Sequence, residues 1–468
     1  MAKVRSLARC ESCGQTAARW VGRCPACGDW GTMREDAEVA GAGEITSAPG
    51  PLAAVATAGP RQRATGIGEL DRVLGGGLAA GGAYLVAGEP GIGKSTLLLQ
   101  VARTAATAGA RVLVVCGEET PEQVRGRAER LGGVPDELWA TRATTVPSVL
   151  AAIDAASPSL VLIDSIQSLA QPDVPGVPGS IGQVRACGEA VVRAAKDRGV
   201  TAILVGQATK DGQVAGPRTL EHLVDAVLWF EGDPGRPLRV LRATKNRFGP
   251  AHEVGCFQMF GDGLHEVADP SRVLVGERDS SLPGVAVTPL LEGNRPLLVE
   301  IQALAGPTSV PAPRRAGSGI DAQRLALLIA VLERRGRMRL GGHDVFVGTM
   351  GGVRAAEPSA DLAICLAVAS AFLDRPLGDR TVAVGEVGLS GEVRDAPDLP
   401  RRLDEAARLG FRTAIVPAGR NLPRSTEVAL RPVRDVTEAL QFLVVTSGTA
   451  IVHPPTPRAH VSRERSQA

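Results

Sequence analysis

The 468-residue sequence lacks three features that would place it in other classes of protein. It has no excess of one charge, because 52 Lys and Arg nearly balance 50 Asp and Glu. The resulting formal charge of +2 excludes a global positive field as the basis of nucleic-acid binding. It has no apolar run near the roughly 18 residues that a membrane span requires. Its first residues, MAKVRSLARC, lack the apolar core of a secretory signal. We therefore expect a cytoplasmic protein with no membrane partner.

Positive charge is instead concentrated in two stretches. Residues 1–34 contain six Lys and Arg against two acidic residues, and residues 312–340 contain seven Arg against two acidic residues. Each stretch is equally compatible with a solvated surface and with a contact for the phosphates of nucleic acid. The sequence also has no internal repeat, so a solenoid architecture is not expected.

Cysteine is sparse outside one short segment, which argues against a disulfide framework. Cys10 and Cys13 form one C-x-x-C pair, and Cys24 and Cys27 form a second pair ten residues later. Two such turns provide the four thiolates that a tetrahedral Zn²⁺ site requires. Iron in a rubredoxin-like cage is an alternative, because the same ligands bind both metals. The four remaining cysteines are scattered singly through apolar stretches and are expected to be buried thiols: Cys116, Cys187, Cys256 and Cys365.

The composition changes along the chain predict an α/β protein with a zinc finger in front and a second mixed α and β domain behind. We expect a finger over 1–34, a flexible linker over 35–60 and a nucleotide-binding core over 61–274. In this core, short β-branched runs alternate with helical stretches, which is typical of a mostly parallel sheet with helices on both faces. A second domain is expected over 275–447, with strands such as RPLLVEIQALA, DVFVGTM and TVAVGEVGL that alternate with apolar helices at 321–334 and 359–373. The last segment, 448–468, has too little apolar surface to pack.

A phosphate-binding loop follows the first predicted strand of the core. The run Gly88–Ser95 fits G-x-x-x-x-G-K-[ST] directly after AYLVA and directly before a helical stretch. Such a loop wraps phosphate with backbone N–H groups, while its lysine neutralises β/γ charge and its hydroxyl ligates Mg²⁺. We expect ATP and Mg²⁺ to be held by Gly88, Glu89, Pro90, Gly91, Ile92, Gly93, Lys94, Ser95 and Thr96.

Acidic residues at the ends of two further strands complete the expected site. Asp164 ends the apolar run LVLID and is expected to hold the Mg²⁺ shell. Glu118 follows the strand VLVVC and is the candidate to orient the attacking water, with its neighbour Glu119 as an alternative. The alternative interpretation is that these two glutamates are solvent-exposed residues at the start of a helix, ahead of Pro121.

Several motifs together resemble the bacterial RadA (Sms) family. They are the finger CESCGQTAARWVGRCPACGDWGT, the loop GEPGIGKST, the segment CGEET and, most specifically, KNRFG at Lys245–Gly249. The resemblance covers nearly the whole chain. It implies a RecA-like ATPase core that forms a ring, a hexamer, and acts on single-stranded and branched DNA to drive branch migration during recombination and repair. It also implies partnership with the RecA recombinase. By this resemblance Lys245 and Arg247 reach the ATP of the neighbouring subunit, whereas chemistry alone makes them a basic turn.

One position departs from this family, and three more are candidates for DNA contact. Gln207 stands where the family usually has His, and its amide can also sense phosphate and relay the signal to a DNA-contacting loop. Three cationic residues near the expected central loops are candidate DNA contacts: Arg185, Lys210 and Arg218.

The second domain resembles the proteolytic domain of Lon, but the protease chemistry is not expected. Ser359 stands where Lon has its nucleophile, whereas Pro400 stands where Lon has the lysine that activates it. Arg401 and Arg402 cannot replace this base, because guanidinium stays protonated. Ser359 is therefore interpreted as the N-cap of the following helix. The domain is expected to scaffold the ring and to offer Arg314 and Arg315 to DNA phosphates, together with Arg334, Arg335, Arg337 and Arg339.

Three functions from different classes remain open at this point. The leading hypothesis is an ATP-driven DNA motor. The first rival is an ATP-dependent protease, which the missing base argues against. The second rival is a regulatory ATPase that switches protein partners without moving on DNA. Only the finger and KNRFG favour the motor over this switch.

Overall fold

The computed structural model of the chain forms two compact units. They comprise Met1–Gly59 and Pro60–Ala468. Within them, the structure describes residues 5–10, 16–17, 21–38, 62–207, 217–232, 238–276, 282–419, 422–423 and 427–443. Across these described ranges, no helix combines the length and the apolar character that crossing a bilayer requires.

The first unit contains a small antiparallel sheet in the order β2-β1-β3. The strands are β1 (Arg5–Cys10), β2 (Thr16–Ala17) and β3 (Met33–Glu38). Strand β3 pairs with β1 along its whole length. The sheet therefore extends four residues beyond the expected end of the finger at residue 34.

The second unit begins with a nine-stranded, mostly parallel sheet, as the sequence predicted. Its strand order is β14-β13-β12-β11-β6-β10-β9-β7-β8, beside a two-stranded ribbon of β4 and β5. Six adjacent strands are parallel, from β11 to β8, and β12 to β14 continue the sheet in antiparallel fashion. The bounds are β4 (Gln62–Arg63), β5 (Leu78–Ala79), β6 (Ala83–Gly88), β7 (Val112–Cys116), β8 (Leu138–Thr141), β9 (Leu160–Asp164), β10 (Thr201–Gln207), β11 (Ala226–Glu231), β12 (Leu238–Asn246), β13 (Val254–Phe260) and β14 (Gly263–Glu266).

Helices cover both faces of this sheet. They are α1 (Gly68–Leu74), α2 (Lys94–Thr107), α3 (Pro121–Arg130), α4 (Val146–Ala156), α5 (Ile181–Asp197) and α6 (Pro217–Leu220), whereas α7 (Pro270–Val275) packs on the second sheet of the unit. Apolar residues of α1, α2 and α3 form one core with one face of the strands, and those of α4 and α5 form a separate core with the other face. Because both faces are covered, the central strands are buried along nearly their whole length, which explains their continuous Val, Ile and Leu runs.

A seven-stranded mixed sheet follows in the order β17-β18-β16-β15-β19-β22-β23. Its strands are β15 (Val285–Glu292), β16 (Arg295–Pro307), β17 (Arg315–Ser318), β18 (His343–Thr349), β19 (Thr381–Ala383), β22 (Thr413–Pro417) and β23 (Ala429–Val433). A separate two-stranded ribbon is formed by β20 (Glu386–Val387) and β21 (Val393–Arg394). The helices are α8 (Ala322–Arg334), α9 (Asp361–Leu373), α10 (Leu399–Arg408) and α11 (Val436–Leu440). Helix α9 is apolar on all sides and is buried from Asp361 to Ser370, so it forms the centre of this half of the unit.

Two local expectations for this half are wrong. The run TVAVGEVGL was expected to be one strand, but Gly385 has φ +158° and separates β19 from β20. Its N–H is bonded to the carbonyl of Ser359 at 2.8 Å instead of to a neighbouring strand. Ser359 was expected to cap α9, but it lies inside a 3-10 turn and Ala360 occupies the cap position.

Candidate ATPase site and metal centre

The phosphate-binding loop links the end of β6 to the start of α2 at the carboxyl edge of the parallel strands. Gly88, Gly91 and Gly93 have φ of +156°, +75° and +114°. A Cβ at Gly88 would lie 2.4 Å from the carbonyl oxygen of Phe230, so the loop can pack against β11 only with glycine there. The first turn of α2 follows immediately, which gives the loop the backbone N–H groups and the dipole that favour phosphate.

Lys94 lies buried beneath this loop, with 5 % of its surface exposed. Its ammonium donates to the carbonyl oxygens of Gly88 at 2.9 Å and Glu89 at 2.8 Å. Burial lowers the pKa of Lys94, while the negative charges of Asp164 and Glu118 oppose this shift. The ammonium is therefore held inside the loop, where an anionic phosphate would be stabilised by it.

Asp164 and Ser95, the two side chains expected to hold Mg²⁺, lie within hydrogen-bond reach of each other. Burial raises the pKa of the Asp164 carboxyl, and a hydrogen bond from Ser95 lowers it in part. The nearby Glu118 also raises this pKa, because two carboxylates so close together repel each other. A hydroxyl beside a crowded, buried carboxylate is a suitable donor set for a hard divalent cation, so these residues fit Mg²⁺.

The two adjacent glutamates after β7 have different partners. Glu118 accepts a hydrogen bond from the hydroxyl of Ser165 at 2.5 Å and faces the carboxyl end of β10. Glu119 instead forms an ion pair with Arg127 of α3, and both glutamates line one cavity of about 120 Å³ together with Ser95 and Asp164. Neither Ser165 nor Arg127 was singled out from the sequence, because each is an ordinary residue of a turn or helix until the fold brings it to the carboxylates.

Gln207 ends β10 next to Glu118. Its side-chain amide donates to the two carboxylate oxygens of Glu118 at 2.8 and 3.0 Å. Its backbone carbonyl accepts from the amide of Gln167 at 3.3 Å. Gln207 thus connects the candidate catalytic carboxylate with the segment that begins at residue 208, which lies outside the described residues.

Lys245 and Arg247 lie at the other end of the parallel strands, away from their carboxyl ends. Asn246 pairs with Ala226, which pairs with Tyr84 at the start of β6, whereas the phosphate-binding loop begins at Gly88. Along β6, Tyr84 and Gly88 are four residues apart. The level of Asn246 and the start of the phosphate-binding loop are therefore separated by roughly 13 Å, at about 3.3 Å per residue. The basic motif and the phosphate-binding loop of one chain are therefore at different ends of the strands.

Backbone carbonyls and Asp225 hold this basic motif. The Lys245 ammonium donates to the carbonyl oxygens of Glu221 at 2.6 Å and Val224 at 2.8 Å. Burial lowers the pKa of Lys245, and so does the neighbouring guanidinium of Arg247. Arg247 is 60 % exposed at its side chain and lies 3.5 Å from the buried carboxylate of Asp225. The side chain of Arg247 is therefore accessible from solvent although its guanidinium lies beside Asp225.

The candidate DNA contacts come from separate parts of the chain. Arg185 is exposed on α5, and Arg218 lies in α6, while Lys210 lies outside the described residues. Arg314 is exposed, whereas the guanidinium of Arg315 lies 3.4 Å from the carboxylate of Glu333. Four further arginines of this basic stretch are exposed: Arg334, Arg335, Arg337 and Arg339.

Three of the four expected metal ligands cluster in the first unit. The Sγ atoms of Cys10, Cys24 and Cys27 all lie within 4.8 Å of one another, and those of Cys10 and Cys27 are 3.6 Å apart. Thiolates bound to one tetrahedral Zn²⁺ at about 2.3 Å would be separated by about 3.8 Å, so the spacing fits this ion. Cys13 lies outside the described residues.

The Ser359 region of the second half carries a buried ion pair. Within the described part of the chain, Ser359 is 3 % exposed and its hydroxyl has no hydrogen-bond partner. Arg402 is fully buried and donates to both oxygens of Glu357 at 2.7 Å. It also donates to the carbonyls of Pro289 and Pro397. The guanidinium of Arg402 thus links α10 to the segment before α9.

A phosphate-binding loop on a mostly parallel sheet, together with a cysteine ribbon, defines a P-loop ATPase with a zinc-binding module. Comparison with known families agrees: residues 58–213 match the AAA domain, and residues 9–35 match a zinc ribbon described as the Rubredoxin metal binding domain.

Curated relatives extend the similarity to almost the full length. The chain is 48% identical to the DNA repair protein RadA of Mycolicibacterium smegmatis over 89% of this chain and 92% of the relative. It is 43% identical to that of Bacillus subtilis over 94% and 99% of the respective chains. The chain belongs to the RadA family.

Proposed function

We propose that this chain is an ATP-driven motor that binds single-stranded DNA and promotes branch migration of recombination intermediates during DNA repair. Membership of a family of proteins named for DNA repair, with a P-loop ATPase domain, supports the general assignment. The finer mechanism is carried by one observation. Lys245 and Arg247 lie at the edge of the sheet away from their own phosphate-binding loop, which suits them to a neighbouring subunit's nucleotide.

Hydrolysis would be performed at the carboxyl edge of the sheet. Lys94 would neutralise the β/γ-phosphates, and Ser95 with Asp164 would hold Mg²⁺, which when bound offsets the phosphate charge. Glu118 would orient the attacking water, because its carboxylate is fixed by Ser165 and Gln207 whereas Glu119 is engaged by Arg127. Gln207 would report the state of the site to the following loop.

A neighbouring subunit would complete the site. An arginine that enters a phosphate site in trans stabilises charge in the transition state and is worth about 10³–10⁵ in rate. Arg247 is the exposed cation of the motif, so it is assigned this role, and Lys245 would accompany it after release from the Glu221 and Val224 carbonyls. A closed ring, for which we propose six subunits, would give every nucleotide such a partner.

DNA would be contacted through its phosphates. The net charge of +2 favours local contacts, for which Arg185, Lys210, Arg218, Arg314 and Arg315 remain candidates. Among the last two, Arg314 is the stronger candidate because Arg315 faces Glu333. The zinc ribbon would add a second basic surface, and contact with the RecA recombinase is proposed from the family resemblance.

The experiment is to compare ATP hydrolysis with and without single-stranded DNA across a salt series, and to follow branch migration of a synthetic junction. Stimulation by DNA that declines as salt rises supports a motor with phosphate contacts. The Lys94→Ala variant should lose both hydrolysis and branch migration. Branch migration at the wild-type rate by this variant would refute the proposal, and hydrolysis indifferent to DNA at every salt concentration would favour a protein switch.

Protease activity is not proposed. The Ser359 hydroxyl is buried, and the nearest long basic side chain on α10, Arg402, is bound to Glu357 and cannot act as a base. Casein should therefore remain intact in the presence of the protein and ATP.

A further inference from the structure

The tight turn between β15 and β16 lies against the loop that carries the KNRFG motif. This turn, Gly293–Asn294, belongs to the second sheet, whereas the loop Arg247–Glu253 belongs to the ATPase sheet. The backbone N–H of Asn294 donates to the carbonyl of His252 at 3.0 Å. Its side-chain amide donates to the carbonyl of Ala251 at 3.2 Å and to the carboxylate of Glu253 at 3.1 Å. Three hydrogen bonds from one residue therefore define where the loop returns to β13.

The backbone of the turn lies too close to the loop for a side chain at Gly293. A Cβ at Gly293, which has φ +59°, would lie 1.9 Å from the carbonyl oxygen of His252. His252 itself has φ +68°, a left-handed conformation that is uncommon for a residue with a side chain. Such a conformation persists where the surroundings over-determine it. Here the N–H of His252 is bonded to Ala243 at 2.8 Å, and its carbonyl to the turn.

A second contact joins the same turn to the ATPase half next to the loop. Arg295 follows Asn294 and forms a buried ion pair with Glu69 of α1. The same Glu69 carboxylate accepts the N–H of Cys256 in β13 at 2.8 Å, and Arg401 of α10 donates to the carbonyl of Asn294 at 3.2 Å. The turn is thus fixed to both halves of the unit and cannot move without moving the loop.

The other end of the loop is held by the ATPase half alone. The amide of Asn246 donates to the carbonyl of Leu74 at 3.0 Å, and Phe248 packs on Tyr84 with ring centroids 5.8 Å apart. A Cβ at Gly249 would lie 2.9 Å from the backbone of Gly75. Arg247 therefore lies in a short, closely packed loop whose first end is held by the ATPase half, and whose second end is held both by Ala243 of β12 and by the turn of the second sheet.

We propose that Asn294 is a positioning residue for Arg247. Through the turn Gly293–Asn294, the position of the second sheet determines the position of Arg247, the cation that completes the neighbour's ATP site. This inference rests on the proposed function, because it requires Arg247 to act on a neighbouring subunit. The second half of the unit would then set the rate of hydrolysis as well as supporting the ring. Asn294 contacts no nucleotide itself and acts through the 251–253 backbone.

The test uses the full-length protein and an isosteric change. Asn294→Asp keeps the shape of the side chain but removes both amide donations and places a carboxylate beside Glu253 and the Ala251 carbonyl. We expect the kcat of DNA-stimulated ATP hydrolysis to fall roughly tenfold, since a shift of about 1 Å in a positioned group can cost about 100-fold. The KM for ATP and the melting temperature should not change, because each chain keeps its own phosphate-binding loop and fold.

Two further variants isolate the effect. Glu253→Gln combined with Asn294→Asp restores a donor–acceptor pair with reversed roles, and kcat should recover in part. Gly342→Ala is the matched control in the second half, because a Cβ there meets nothing within 4 Å, and it should hydrolyse ATP at the wild-type rate. In mixed assemblies, Lys94→Ala chains retain intact loops and should restore hydrolysis by Asn294→Asp chains, which a folding defect in the latter would not allow.

The outcomes separate the two proposals. If Arg247→Ala hydrolyses ATP at the wild-type rate, the proposed function fails. If Arg247→Ala is inactive while Asn294→Asp retains kcat within about twofold, the positioning role alone is overturned. A loss in Asn294→Asp that is accompanied by a lower melting temperature, or that Lys94→Ala chains do not restore, likewise overturns it in favour of a structural role.

Discussion

Gln207 donates its side-chain amide to both carboxylate oxygens of Glu118, at 2.8 and 3.0 Å. The pair joins two adjacent regions of the carboxyl edge, the end of β10 and the segment that follows β7. In a P-loop ATPase this is the position from which a polar residue can detect whether γ-phosphate is present. A histidine at this position could donate to a carboxylate just as this glutamine does.

Removal of this amide should uncouple hydrolysis from DNA. Gln207→Leu preserves the approximate volume but removes the donor, so Glu118 loses a partner that fixes its orientation. We expect stimulation of ATP hydrolysis by single-stranded DNA to fall roughly tenfold, the scale of one lost hydrogen bond to a charged group. Gln207→His should retain most of the stimulation. Equal stimulation in the leucine variant and the wild type would argue that Gln207 is not a sensor.

The two adjacent glutamates should differ sharply in their effect on hydrolysis. Glu118→Gln should lower kcat by about 10²–10⁴, the contribution expected of a positioned base, while a fluorescent ATP analogue still binds. Glu119→Gln should retain kcat to within about tenfold, because Glu119 is bound to Arg127 and not to the water position. Steady-state rates and binding titrations on both variants provide the check. The reverse ranking would assign the base to Glu119.

The buried pair of Arg402 and Glu357 should dominate the stability of the second half. Glu357→Ala leaves a fully buried guanidinium without its carboxylate, which should lower the free energy of unfolding by about 3–5 kcal/mol. Glu333→Ala is the control, because its pair with Arg315 is partly exposed and should contribute about 1 kcal/mol or less. Denaturant unfolding followed by circular dichroism measures both. Similar midpoints for the two variants would contradict this account.

Metal loss should affect the first unit selectively. Cys27→Ala removes one of three clustered thiolates, so the purified variant should contain much less than one zinc per chain by elemental analysis. DNA-dependent activity should fall more than basal ATP hydrolysis, because the P-loop and its carboxylates lie in the other unit. Cys187→Ala, a single buried thiol of α5, is the control for loss of a cysteine. Full zinc occupancy in the Cys27 variant would exclude the assigned ligand set.

The sequence predicted most of the ATPase fold because its signals are local. Continuous apolar runs mark buried parallel strands, and a glycine-rich loop between a strand and a helix marks the phosphate site. The partners of the site were not predictable in the same way. Ser165 at Glu118, Arg127 at Glu119 and Asn294 at His252 are separated by up to tens of residues along the chain, and no local pattern distinguishes them.

Errors from the sequence occurred where tertiary contacts override local preference. Serine before an apolar helix is normally a good cap, yet Ser359 is buried in a turn whose carbonyl is bonded to Gly385. The run TVAVGEVGL reads as one strand, yet the same contact at Gly385 divides it. One long-range hydrogen bond therefore accounts for both differences.

The central claim is that one subunit's Arg247 completes the ATP site formed around Lys94 of another. The most direct measurement mixes the Lys94→Ala and Arg247→Ala proteins and follows ATP hydrolysis against the mixing ratio. Each variant alone should be inactive. The mixture should regain hydrolysis, with a maximum near equal proportions, because some interfaces then combine an intact phosphate-binding loop with an intact arginine. Mixtures that stay inactive at every ratio, although the subunits are shown to co-assemble, would contradict the account.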